Sequence, residues 1–374
     1  MKHYSAYDTA RFSESCRSLS PVFEATTSVV QSPKRLGQQA NRRKTNLPSL
    51  HPKVISDVII NCASSAFRQD SKVLLPDHAF GNERIDIAER QLLYWHSVDR
   101  AIIRNHDVAE IDKGICVFGS AAQNWYHWML EILPAASLAT KLKGEWSFAP
   151  LLVPEHCAVS KPFYDSLKAV APNKEILFLK RQTNYQIGSL LVFDCASVSP
   201  LNLVRSEWLR LSDYKQNLAA LAFHRDRVLK DLKIKTRLPQ RKIFLSRHGR
   251  DRKYNQLEVE DTLRDYNFEV VYPETLTFLE QVQMFRDARI IVGPSGAAFT
   301  GILFSQSTAR ALSWVPEEYQ EFCSFSNIAE LNNFNMTYIF VKTKKPVSCT
   351  ADITKAEYSL DTTVLRRNLE VLLA

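Results

Sequence analysis

Three short segments carry side chains whose types and spacing suit chemistry. The first is Asn124-Trp125-Tyr126-His127-Trp128-Met129-Leu130-Glu131-Ile132-Leu133-Pro134. On a helix, His127 and Glu131 stand four residues apart and share one face. An imidazole beside a carboxylate can take a proton from a hydroxyl near neutral pH. The spacing does not say which of the two is the base and which the orienter. It also fits an ion pair on an amphipathic helix.

The second segment is Ser246-Arg247-His248-Gly249-Arg250-Asp251-Arg252-Lys253-Tyr254-Asn255. Its arginines and lysine are closely spaced, and guanidinium groups grip phosphate oxygens bidentately. The run starts where a strand pattern ends, at the edge where open parallel sheets bind ligands. The third segment is Ile291-Val292-Gly293-Pro294-Ser295-Gly296-Ala297-Ala298-Phe299-Thr300. A strand, a turn of small residues and a helix start make an anion site, because free N–H groups and the helix dipole point at the ligand. Ser295 can donate a hydrogen bond to phosphate but adds no charge. The turn is neither a dinucleotide fingerprint nor a Walker loop.

These segments need elements to hold them. Short apolar runs alternate with helical patterns from Val54 onward, which predicts an α/β fold with largely parallel sheets. Strands are expected at Ile115–Phe118, Leu151–Val153, Ile176–Leu179 and Ser189–Phe193, with helices over Gln123–Leu142 and Pro162–Val170. Trp208, Leu211, Leu218, Leu221, Val228 and Leu232 recur at helical spacing and predict one long connecting helix. The second half repeats the alternation, with a capping box at Thr277 and Glu280 and an apolar stripe of Leu365, Leu369 and Leu372 on a last helix.

Composition bounds the class. With 374 residues and 45% hydrophobic content the chain suits two domains. Its 48 Lys and Arg against 40 acidic residues give a net charge of +8, which suits phosphorylated substrates or an anionic membrane surface. No DNA-binding motif and no interleaved aromatic platform accompany the basic residues, so nucleic acid is not an expected partner. No apolar run approaches the ~18–20 residues of a membrane span, and Met1 to Val30 lacks an apolar signal core. Seven scattered cysteines read as reduced thiols, and a cytoplasmic protein is expected, with peripheral contact at the inner face of the membrane.

In this order, the three segments resemble glycosyltransferase family 61, which includes bacterial capsular-polysaccharide biosynthesis proteins, plant xylosyltransferases and animal protein O-linked GlcNAc transferases. The likeness runs over roughly residues 90–345. Asn124 to Pro134 looks like the family's Asn-aromatic-aromatic-His helix with its acid and proline. Ser246-Arg247 through Asn255 and Glu258 looks like its Ser-Arg…Arg…Asn-x-x-Glu stretch. Phe268 to Val271, Pro273-Glu274 and Phe278 to Val282 resemble the connecting strand and helix. Ile291 to Thr300 resembles its Val-Gly-Pro-His-Gly-Ala-Gly-Leu-Thr-Asn turn, with Ser295 for the family's His and Gly301 for its Asn. An acid often found after the next strand is absent near Ser313.

The resemblance implies two Rossmann-like domains facing a cleft, the GT-B-type architecture. It implies an inverting glycosyltransferase that moves a sugar from a nucleoside diphosphate, UDP above all, to a glycan hydroxyl in surface or capsular polysaccharide biosynthesis. Catalysis would fall to His127 and Glu131, and the acceptor side to Asn124, Trp125 and Tyr126. The donor diphosphate would meet Arg247, Arg252, Lys253, Asn255, Ser295, Gly296, Ala297 and Ala298. No Asp-x-Asp pair occurs, so metal-independent transfer is expected, with the nucleotide sugar as co-substrate and no cofactor. A rival reading is a non-catalytic nucleotide- or glycan-binding scaffold descended from such an enzyme.

The expected divisions are a basic, mobile arm over 1–50, an acceptor domain over 51–235 and a donor domain over 236–350. A C-terminal helix within 351–374 would cross back to the first domain.

Overall fold

The structure, a computed structural model, describes residues 4–200, 202–204, 207–248, 253–353 and 355–374, the side chain of Ala351 aside. The chain forms two compact units. One holds Met1–Thr27, Asn46–Val204 and Ala219–Val228; the other holds Ser28–Thr45, Arg205–Leu218 and Leu229–Ala374.

An 11-stranded mixed sheet dominates the first unit. Four parallel strands lie in the order Ile176–Leu179, Leu151–Pro154, Val108–Cys116, Asn184–Phe193. Parallel neighbours need crossovers. Residues 125–139 and Lys161–Val170 supply helices for two of them. Beyond Asn184–Phe193 the character changes. Pro52–Ile60 pairs with it antiparallel, and the sheet continues through Phe67–Gln69, Lys72–Leu75, Tyr4–Arg11, Arg100–Arg104 and Leu93–His96.

The expectation of a Rossmann-like first domain fits the four parallel strands but not the antiparallel remainder of the sheet. No helix occurs between Pro52 and Cys116. The β-branched run Val54, Ile55, Val58, Ile59, Ile60 is buried along a strand. Runs this short do not distinguish helix from strand by periodicity, and β-branching decides the outcome.

Two more expectations fail here. Residues 4–50 are not a loose arm. Tyr4–Arg11 lies inside the sheet, paired on both sides with Lys72–Leu75 and Arg100–Arg104. Residues 28–45 belong to the second unit, where Arg35 lies over the Phe340 ring at 4.8 Å and the Lys34 carbonyl accepts the Tyr338 N–H at 2.8 Å. The long helix is also shorter than expected. The α-helix runs only over Leu218–Asp231; Trp208 precedes it, and Leu211 opens a separate 3₁₀ turn, Leu211–Asp213.

The second unit is a five-stranded, wholly parallel sheet. Its order is Glu269–Val271, Arg241–Leu245, Ala288–Pro294, Arg310–Pro316, Asn335–Val341. Numbered along the chain that is 2-1-3-4-5, a doubly wound order whose direction reverses between strands 1 and 3. Ile243, Phe244, Ile291, Val292, Ala311 and Leu312 are buried, as strands covered on both faces require. Helices Gln256–Asp265 and Phe278–Asp287 connect the first three strands, the second opened by the reciprocal cap of Thr277 and Glu280. The last helix, Thr362–Leu373, belongs to the second unit. Its Leu365, Leu369 and Leu372 share a core with Val259 and Leu263 of Gln256–Asp265.

Candidate active site

In the first unit, strand Val108–Cys116 leads into the helical stretch 125–139, and its sheet neighbour Asn184–Phe193 leads into the loop that carries Ser199. Asn124 caps the helix by accepting the Tyr126 N–H at 2.9 Å. The helix then widens into a π turn over Trp128–Ile132, closed by the Leu133 N–H on the Trp128 carbonyl. Such single widened turns often mark functional positions. Trp128 anchors the turn from below, fully buried, with Nε1 donating to Ser166 Oγ at 2.9 Å.

His127 Nδ1 sits 2.7 Å from Glu131 Oε2, with both side chains largely buried. The other carboxylate oxygen, Oε1, accepts the Ser199 N–H at 3.0 Å and the Ser199 hydroxyl at 2.7 Å. Glu131 is therefore held from both ends. A carboxylate accepts only, so the Nδ1 proton points to Glu131, and Nε2 keeps its lone pair. Burial pulls the His127 pKa down, but the charge and hydrogen bond of Glu131 outweigh it and leave the imidazole above the ordinary 6.5. An imidazole aligned in this way can accept a proton at Nε2. Ser199 lies 68 positions away, and no local sequence signal points to it.

The acceptor-side expectations divide. Asn124 is spent on the helix cap. Tyr126 is buried edge-on against the His127 ring at 5.1 Å, so it frames the imidazole and offers no open surface. Trp125 is half-buried and meets Phe163 edge-on at 5.1 Å.

In the second unit, strands 1 and 3 end side by side at the reversal point of the sheet. Strand Arg241–Leu245 runs into Ser246-Arg247, and Ala288–Pro294 into Ser295-Gly296. Arg247 Nη2 approaches the Ser295 carbonyl at 3.5 Å and stands 3.8 Å from where a Gly296 Cβ would lie. Gly293 is obligatory for this closeness, because a Cβ there would meet the Leu245 carbonyl at 2.9 Å. Ser295 is buried, its N–H on the Trp314 carbonyl at 2.9 Å. Half-exposed Gly296, Ala297 and Ala298 begin the 3₁₀ helix Ala297–Phe304, whose first N–H groups have no partner inside it.

Ser246 works behind the site. Its hydroxyl donates to Glu260 at 2.7 Å, and the same carboxylate receives Gln256 at 3.0 Å, Tyr272 at 3.2 Å and Arg264 at 3.1 Å. Burial raises the Glu260 pKa, but these hydrogen bonds outweigh it and hold the group below the ordinary glutamate value.

Of the other residues expected at the donor site, Asn255 and Lys253 are engaged elsewhere and Arg252 lies outside the described residues. Asn255 is a structural clamp: its Nδ2 donates to Glu258 at 2.7 Å and to the Leu360 carbonyl at 3.0 Å, while its Oδ1 accepts the Leu360 N–H at 2.8 Å. Two of these bonds hold the segment before the last helix. Lys253 reaches Glu357 at 3.9 Å, away from any described contact with the turn. Arg252, with Arg250, lies outside the described residues. Gly301 has a packing cause, since a Cβ there would fall 1.9 Å from the Phe285 ring. Among the described residues, no three His, Cys, Asp or Glu side chains gather as a metal set, and all seven cysteines are free.

The family model Glycosyltransferase 61 matches residues 125–312, half of the chain, from the helix of His127 to the strand after the glycine turn. The chain belongs to glycosyltransferase family 61. It is thus a glycosyltransferase of mixed α/β fold, and the matched span contains the His127–Glu131 pair, Ser199, Arg247 and the Ser295-Gly296 turn. No curated protein matches the chain. No helix among the described residues is long and apolar enough to cross a membrane.

Proposed function

We propose that this family 61 protein transfers a sugar from a nucleoside diphosphate to a glycan hydroxyl with inversion at the anomeric carbon, in surface or capsular polysaccharide biosynthesis. The observation that carries the donor assignment is the meeting of Arg247 with Ser295 and Gly296 at the reversal point of a parallel sheet. Open α/β sheets bind nucleotides at that point. A guanidinium and a helix start suit a diphosphate there.

The second unit holds the donor in this reading, and the first supplies the proton acceptor. His127 Nε2 takes the proton of the acceptor hydroxyl while its oxygen attacks the anomeric carbon. The bond from that carbon to the diphosphate oxygen breaks, and the electron pair leaves on the diphosphate. Charge growing there is stabilised by Arg247 and the backbone after Gly296, a fixed electrostatic arrangement. Glu131, held by Ser199, stabilises the imidazolium. Trp125 is the side chain nearest the pair in sequence that can face an acceptor sugar. The chain has no Asp-x-Asp pair, so transfer is proposed to proceed without a metal.

The test is an assay of radiolabelled nucleotide sugars against oligosaccharide acceptors, run with and without EDTA. Sugar transfer or slow donor hydrolysis that survives EDTA is expected. Nucleotide binding with no turnover on any acceptor would favour a non-catalytic scaffold. Loss with EDTA and recovery with Mn²⁺ would refute metal independence.

A further inference from the structure

The residue after Arg247 takes part in no chemistry assigned so far. The His248 ring lies flat on the Tyr272 ring, with centroids 3.9 Å apart and planes within 6°. His248 is exposed and Tyr272 half-buried; one imidazole face is covered by the tyrosine, and among the described residues no second ring stacks on the other. The two residues follow strands 1 and 2 of the second unit, which are sheet neighbours.

The stack is held rigidly. Tyr272 Oη donates to Glu260 at 3.2 Å, and that carboxylate is fixed by Ser246, Gln256 and Arg264. The His248 N–H donates to Glu274 at 2.9 Å. An exposed, parallel pair of rings braced from beneath and from the backbone is a ready surface for a third flat ring. It adjoins the residue that meets the Ser295-Gly296 turn.

We infer that the open face of His248 is the nucleobase subsite: the base of the donor nucleotide stacks on it and extends the His248–Tyr272 pair. The inference rests on the donor-site reading above. With the diphosphate at the turn between strands 1 and 3, a nucleoside running toward strand 2 lies over His248. Stacking on a ring face tolerates any base, because every base has a π-face. A surface that is already ordered loses little freedom on binding.

Calorimetric titrations of the full chain with UDP, GDP, CDP and inorganic pyrophosphate test this, with His248→Ala, His248→Phe and Arg247→Ala as variants. His248→Ala should weaken whichever nucleotide binds the parent by about tenfold or more. It should leave pyrophosphate binding unchanged, because pyrophosphate has no base. His248→Phe, which keeps a flat ring, should bind that nucleotide nearly as well as the parent. Arg247→Ala should weaken nucleotide and pyrophosphate alike. If His248→Ala binds nucleotide like the parent while Arg247→Ala is impaired, the base subsite is refuted and the donor site stands. If none of the three nucleotides binds the parent, both fall together.

Discussion

His127 Nδ1 and Glu131 Oε2 lie 2.7 Å apart, and Ser199 fixes the far oxygen of the same carboxylate. The arrangement leaves Nε2 as the nitrogen that can accept a proton. It also raises the imidazole pKa above 6.5, since the carboxylate outweighs burial. A base works only when unprotonated, so kcat/KM should fall as pH drops through that raised value. In Glu131→Gln, burial acts unopposed and the acidic limb should move to lower pH, with a lower plateau because the ring is less firmly held. Initial-rate profiles from pH 5 to 9 check both. A limb that stays in place in Glu131→Gln would mean that another group titrates.

Arg247 supplies the one cation described beside Ser295 and Gly296. Replacing it by Ala should remove a charge-assisted contact of about 1.5–3 kcal/mol, so donor affinity should drop at least about tenfold. The side chain is only half-buried, and the melting temperature should change little. Donor titration and a thermal melt separate the two effects. Unchanged donor affinity would remove Arg247 from the site.

His224 is a buried histidine of a different kind. It is fully buried, its Nδ1 lies 2.7 Å from Ser137 Oγ, and its Nε2 has no hydrogen-bond partner. Burial drops its pKa from 6.5 to about 3. The unfolded chain therefore binds a proton that the folded chain refuses between those values. Stability should be lost as pH falls below 6.5, at up to about 1.4 kcal/mol per unit from this group. His224→Asn offers Ser137 an acceptor but cannot titrate. Its melting temperature should fall less between pH 7 and pH 5 than that of the parent. Parallel slopes would show that other groups govern acid stability.

The resemblance to family 61 places Asn at the position of Gly301. A Cβ there would lie 1.9 Å from the Phe285 ring. Gly301→Asn should cost about 1–3 kcal/mol by overpacking. Shrinking the ring in the double variant Gly301→Asn with Phe285→Leu should recover part of the loss. Denaturant unfolding measures both. A Gly301→Asn variant as stable as the parent would show that the ring moves aside freely.

The second unit was largely legible in sequence. Its strands are short apolar runs closed by turns, and the Thr277–Glu280 cap marks a helix start that the structure reproduces. The meeting of Arg247 and Ser295 follows from two strand ends at one sheet edge, even though they stand 48 positions apart. The first unit was not so legible. From Pro52 to Cys116 every element is a strand, and apolar periodicity over such short runs does not reveal pairing direction. Ser199 was invisible because only the parallel neighbours Val108–Cys116 and Asn184–Phe193 bring it to Glu131. Asn255 misled because an amide beside a basic run suits a phosphate, whereas its partner is backbone 105 positions away. The same long-range pairing explains the N-terminal segment, whose polar composition suggests an arm but whose strand is sandwiched in a sheet.

In the proposed transfer, His127 is the proton acceptor and the donor is held elsewhere, at Arg247 and the Ser295-Gly296 turn. The most direct test is steady-state kinetics of His127→Ala with the nucleotide sugar that the parent uses. His127→Ala should show a kcat lower by about 10²–10⁴-fold with the donor KM nearly unchanged, the signature of a group that acts in the transition state and not in donor binding. Transfer by His127→Ala at the parental rate would contradict it and reduce the His127–Glu131 pair to a structural contact.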